Sequence, residues 1–135
     1  MGFNNDGQAV ASVEGNSSNR FLEYNQEVFN ISNNIGHSEE PRIVKYGNII
    51  YLVWIDDTSA SRDIYFKKST DNGCTFGPTI NLGNDKGGSL DPQIGTSGNN
   101  VYMVWEHVPE NNGSIFWIRS TDNGASFERV KNLGR

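Results

Sequence analysis

From Ser38 to Asn84 and again from Ser89 to Arg135 the chain spells the same pattern at a constant offset of 51 residues, with no insertion or deletion. Pro41 meets Pro92, Ile43 meets Ile94, Gly47-Asn48 meets Gly98-Asn99, and Tyr51-x-Val53-Trp54 meets Tyr102-x-Val104-Trp105. Ile64 meets Ile115 and Asn81-Leu82-Gly83 meets Asn132-Leu133-Gly134. Of the 47 aligned positions 18 are identical, so the segment is a duplication and its period defines the structural unit. The densest match is an octapeptide, S-T-D-N-G-C-T-F at Ser69 to Phe76 and S-T-D-N-G-A-S-F at Ser120 to Phe127.

Within a unit the alternation is that of strands. Gln93 to Ser97 reads as a short strand closed by the Gly98-Asn99 turn. Val101 to Trp105 reads as a second, with β-branched and aromatic residues on both faces, so both faces must be covered. Ser114 to Arg119 is a third strand, and Arg129 to Leu133 a fourth beyond the octapeptide. Abundant Gly, Asn and Ser supply the positive φ angles and side-chain-to-backbone bonds of the turns between them. No segment has helical periodicity. The expectation is an all-β fold of four-stranded antiparallel units, each of about 50 residues and built like a propeller blade.

In the octapeptide the Asp suits bonds to N–H groups farther along the turn, and the Gly accepts positive φ. The Ser or Thr hydroxyl reaches back, and the Phe plugs the turn from beneath. The pattern S-x-D-x-G-x-[ST]-[FW] resembles the Asp-box, or BNR repeat, at every defining position: Ser69, Asp71, Gly73, Thr75, Phe76 and Ser120, Asp122, Gly124, Ser126, Phe127. The resemblance covers roughly residues 38–135 and implies a sialidase-type β-propeller. In such propellers the boxes join the third and fourth strands of each blade on the rim, away from the active site. The resemblance therefore implies two full blades, 38–88 and 89–135, after a partial one. Asp71 and Asp122 read as turn-locking carboxylates rather than a hydrolytic pair.

Fold does not carry activity, so catalysis must be argued from residues. Sialidase chemistry, as the family implies it, needs three arginines, a Tyr–Glu nucleophile pair and an acid/base Asp around a complete ring. Arg42 in P-R-I-V resembles the first-blade arginine, yet its repeat mate is Gln93 and Val44 stands where the family has Pro. Arg62, Arg119 and Arg129 occupy no comparable places. Arg42 thus reads as an inter-blade or solvated residue, with ligand contact as its functional alternative. Asp56-Asp57 and Glu106-His107 follow the Trp-bearing strands and open loops that differ between the units. Variable loops on a repeated scaffold are where ligand contact concentrates, which makes 56–62 and 106–113 the candidate binding segments. His37 and His107 are not equivalent in the repeat, no metal site or cofactor is expected, and Cys74 replaces Ala125 at a free position of the box.

Upstream, Val28 to Ser32 aligns with the fourth strand of the next unit, and Gln8 to Glu14 and Arg20 to Tyr24 read as strands of a degenerate partial blade within residues 1–37. An unstructured tail is the competing reading. A net charge of -5 without a basic block argues against nucleic acid. No apolar run is long enough for a membrane span, and the N-terminus lacks a signal-peptide pattern, so an extracellular or cell-surface location comes from the resemblance alone. The functional expectation is a non-catalytic module for glycan or protein binding or for structural assembly. It would self-associate or continue in further blades. A fragment or decayed relative of an exo-α-sialidase-like glycoside hydrolase is the alternative.

Overall fold

The computed structural model describes residues 2–3, 9–10, 28–83, 86–109 and 112–134, in two compact units, 1–33 and 34–135. In the first, β1 (Gly2–Phe3) pairs antiparallel with β2 (Ala9–Val10). Of the strand expected over Gln8 to Glu14 only Ala9–Val10 is described as one, and Arg20 to Tyr24 lies outside the described residues. Val28 to Ser32 is not a strand. There Ser32 Oγ and Asn33 N both donate to Asn30 Oδ1, at 2.9 and 3.1 Å, a local side-chain bond that competes with ladder formation.

The second unit holds two four-stranded antiparallel sheets. The first runs β3 (Ser38–Tyr46), β4 (Ile49–Asp56), β5 (Asp63–Ser69) and β6 (Ile80–Asn81), each beside its sequence neighbour. The second repeats this with β7 (Gly88–Ser97), β8 (Asn100–Val108), β9 (Ser114–Ser120) and β10 (Lys131–Asn132). The fold is all-β, with no helix among the described residues. The first strand of each sheet is longer than the sequence suggests, because it carries on through Pro41 or Pro92 by a β-bulge. The register breaks between Glu39 and Arg42 and between Leu90 and Gln93. Glu40 and Asp91, each just before its proline, take φ of 51° and 48°. A bulge is where a strand tolerates a residue with no N–H to donate.

The two sheets pack front to back. On the front of the first sheet Tyr51, Val53 and Ile55 alternate along β4 beside Ile64 and Phe66 of β5, all fully or almost fully buried. They join one hydrophobic cluster with Val101, Met103, Trp105 and Ile118 of the second sheet. The repeat mates of Tyr51 and Val53 are Tyr102 and Val104, which point away from that cluster on the other side of β8. The faces in contact are therefore non-equivalent, as stacking by a repeated step requires. Phe127, from the second octapeptide, closes the seam edge-on against Phe66, with centroids 4.9 Å apart and planes at 78°. Gly124 lies over the same ring: a Cβ there would stand 3.0 Å from Phe66 Cζ, at a φ of 71°.

Trp54 and Trp105 are both buried, at 5% and 1% exposure, but only Trp105 lies in the seam. Trp54 is on the back of its sheet, stacked on Tyr65, and its Nε1 donates to Asp56 Oδ2 at 3.3 Å. In the second unit His107 replaces that carboxylate, and Trp105 Nε1 is buried without a partner. Truncation of Trp105 to Ala should cost roughly 3 to 5 kcal/mol, the range for deleting a buried aromatic ring. Urea denaturation measures it, and an unmoved midpoint would place Trp105 outside the core. Gly124→Ala should be the costlier glycine change, by about 1 to 3 kcal/mol. At Gly73 an added Cβ meets only the mobile tip of Ile50, at 3.2 Å.

Candidate functional site

Each sheet has two chemically different ends. At one end lie the hairpin turn, Gly47-Asn48 or Gly98-Asn99, and the octapeptide. At the other lie the strand starts and the loops that follow β4 and β8.

At the octapeptide end the sequence dictates the geometry closely. Asn72 and Gly73 take φ of 58° and 88°, and Asn123 and Gly124 take 57° and 71°, so the Asn shares the left-handed conformation with the Gly. Asp71 Oδ1 accepts from Ser69 Oγ at 2.7 Å and Thr75 N at 2.8 Å, and Oδ2 accepts from Thr75 Oγ1 at 2.5 Å. Ser69 Oγ in turn accepts from Gly73 N at 2.8 Å. The second turn repeats each bond: Asp122 accepts from Ser120 Oγ, Ser126 N and Ser126 Oγ, and Ser120 Oγ accepts from Gly124 N. Each turn also docks on its own hairpin, Asn72 N donating to Asn48 O and Asn123 N to Asn99 O, both at 2.9 Å. The Thr75 hydroxyl, then the Ser69 hydroxyl and the Thr75 amide, stabilise the carboxylate and hold the Asp71 pKa at about 2. Bonds from Ser126 and Ser120 lower that of Asp122 further.

At the loop end the five candidate binding residues fall apart into separate environments. Asp56 is fully buried and surrounded by donors: Asn34 Nδ2 and Ser38 Oγ at 2.6 Å, Thr58 N at 2.9 Å, Thr58 Oγ1 at 2.5 Å, and Trp54 Nε1. Burial pushes its pKa up, but the bonds from Ser38, Thr58 and Asn34 outweigh it and hold the group at about 2. Its oxygens are thus engaged within the fold rather than offered to a ligand. Asp57 is exposed and accepts from His37 N at 2.6 Å. Glu106 is exposed on the opposite side of β8 from His107. His107 is buried, stacked on Phe116 at 4.3 Å and covered by Gly87, where a Cβ would come within 2.8 Å of the imidazole. Its Nδ1 has no hydrogen-bond partner.

Arg42 reaches across to the other sheet. Its Nη2 donates to Asp91 Oδ1 at 3.0 Å, where Gln93 Nε2 also donates at 3.0 Å. Glu40 Oε2 accepts from Asp91 N at 2.6 Å, so the carboxylate of one bulge caps the backbone of the next. Arg62 pairs with Glu39 and lies 3.9 Å from Glu40, and its carbonyl accepts from Ser89 N at 2.7 Å. Sequence reasoning missed Glu40 and Asp91. Their signal was the acidic residue before each repeated proline. It also missed Asp63, buried and bonded to Ser59, Ser61 and Asn81. Among the described residues no hydrogen bond or ion pair joins any two of Arg42, Asp56, Asp57, Glu106 and His107.

No protein-family model matches the chain, and no curated protein sequence matches it either. Among solved structures it is similar to a crystal structure from Parabacteroides distasonis ATCC 8503 described as a "putative glycoside hydrolase", with 16% identity and a TM-score of 0.53. The likeness covers 75% of this chain and 33% of that one, so the chain spans about a third of the other's length. What the two share at this identity is the fold.

If Asp71 and Asp122 lock the turns as carboxylates, their lowered pKa values link stability to pH. The stabilisation is complete above the ordinary carboxylate value of 3.8 and is lost as pH falls through the folded value, about 2 for Asp71. Thermal midpoints should therefore drop between about pH 4 and pH 2. An Asp71→Asn, Asp122→Asn variant should start lower at neutral pH and fall less steeply across that window. Parallel pH profiles for the two proteins would contradict the assignment.

Proposed function

We propose that the chain is a non-catalytic module of the β-propeller type. Residues 38–88 and 89–135 would be two Asp-box blades, and residues 1–37 would contribute part of a third. Its loops at 57–62 and 106–113 would meet a glycan or protein ligand while the sheets act as scaffold. The observation that carries this reading is that the charged groups nearest a would-be active site are committed to one another. Arg42 is held by Asp91, and Asp56 is saturated with donors and kept ionised far below neutral pH. A general acid needs a pKa raised towards the working pH, and a substrate-clamping arginine needs its fork free.

The glycoside hydrolase alternative draws support from the likeness to the Parabacteroides distasonis structure. Hydrolysis of fluorogenic sialosides and other aryl glycosides separates the two readings. The module should show no turnover above the buffer rate. Turnover that disappears in Arg42→Ala would establish the enzyme instead.

A further inference from the structure

The chain carries both halves of its own internal seam a second time, unpaired. One half is the front of the second sheet. Tyr102, Val104, Trp117 and Arg119 stand there at the repeat positions of Tyr51, Val53, Phe66 and Lys68. In the first sheet those positions receive the next unit: Phe66 meets Phe127, and Lys68 Nζ donates to the carbonyl of Asn123 at 2.9 Å. In the second sheet, Trp117 is instead flanked by the cations of Arg119 and Lys131, 5.8 and 5.2 Å from its ring. The other half is the back of the first sheet and its octapeptide. Ile43 there is 66% exposed, whereas its repeat mate Ile94 packs against the core. Asn72 is exposed and Phe76 half-buried, at the places where Asn123 and Phe127 serve the seam.

We propose that the front of the second sheet receives the back of the first sheet of a second copy of this chain, with Trp117 taking Phe76 and Arg119 the Asn72 carbonyl. The inference rests on the repeat-module reading, whose stacking step it extends by one unit. A second copy is favoured over a covalently continued unit by what changed at the repeat positions. Ile55 becomes Glu106, Ile80 becomes Lys131, Phe66 becomes Trp117 and Lys68 becomes Arg119. A seam made once, during folding, tolerates Ile and Phe throughout. A face that must also stand in water takes charged residues at its edge, with Trp and Arg as anchors, as separable interfaces do. Because the two patches differ, the contact is heterologous and propagates into a ring or an open array.

Two surface variants test this without relying on either one alone. Ile43→Asp spoils the back and Trp117→Ser the front, so each keeps one good half. By size exclusion with light scattering the native chain should exceed monomer mass, and each variant alone should be monomeric. An equimolar mixture should form dimers and stop there, which also shows that both variants are folded. A native chain that stays monomeric at every concentration, or a mixture that stays monomeric, overturns the proposal.

A covalent readout uses Cys74, the mate of Ala125, which lines one cleft with Thr70, the mate of Thr121. Mild oxidation of Thr121→Cys should link successive copies through Cys74, and no link should form when Cys74→Ala is added. Failure to cross-link counts against the contact. None of these readouts involves glycoside turnover, so the outcome here is independent of whether the module is catalytic.

Discussion

The seam between the two sheets is the contact on which the rest of the second unit depends. It joins the front of one sheet to the back of the next, so every strand position has two lives, one for each neighbour. That explains why β4 and β8 are apolar on both sides, and why no single side of either reads as the solvent side. It also explains why the duplicated tryptophans are conservative in position and different in role. Trp105 faces the seam, while Trp54, one step earlier in the stack, sits behind its own sheet and finds Asp56 as its acceptor. A ring of that size is kept at both places because the stacking step needs a large, flat residue there, whichever neighbour happens to cover it.

At its two ends the seam is fixed by different physics. On the octapeptide side an aromatic edge contact and a lysine set the spacing, and the turn that presents them is made rigid by an ionised carboxylate with three donors. On the loop side the spacing is set by charge: Glu40 on the Asp91 amide, Arg42 on the Asp91 carboxylate, Arg62 on Glu39. These pairs are half-exposed, and each alone contributes little in water. Their value lies in direction, since a carboxylate on a backbone N–H fixes where one strand begins relative to the other. The loops beyond this clamp are free of the packing constraint, which is why their sequences diverge while the strands below them do not.

Much of this was legible in advance. The alternation of Val101 to Trp105 with apolar residues on both sides announced a sheet covered twice, and the roles of Asp, Gly, Thr and Phe in the octapeptide followed from their chemistry. What stayed hidden was non-local. The residue before a proline is pushed towards extended backbone, so nothing in Glu40 or Asp91 signals a left-handed conformation. That conformation persists because the bulge and the cross-sheet bond over-determine it. In Asp56-Asp57 two adjacent acids looked alike. Their different fates are decided by Asn34, Ser38 and Thr58, which converge on the first and leave the second in water. Parity was the third hidden element, since an odd repeat length does not reveal which side of a strand meets which neighbour.

The bond from Lys68 ends on the main-chain carbonyl of Asn123, not on a side chain. A main-chain acceptor is present whatever residue occupies the position, so the lysine reads the shape of the turn and is blind to its sequence. A unit held this way has no need to co-vary with its neighbour. A gene segment encoding it could be copied in tandem and dock at once, before any compensating substitution had arisen. The near-identity of the two octapeptides beside strongly diverged loops is the pattern such a history leaves behind, with the turn conserved as a coupling standard and the rest at liberty to change.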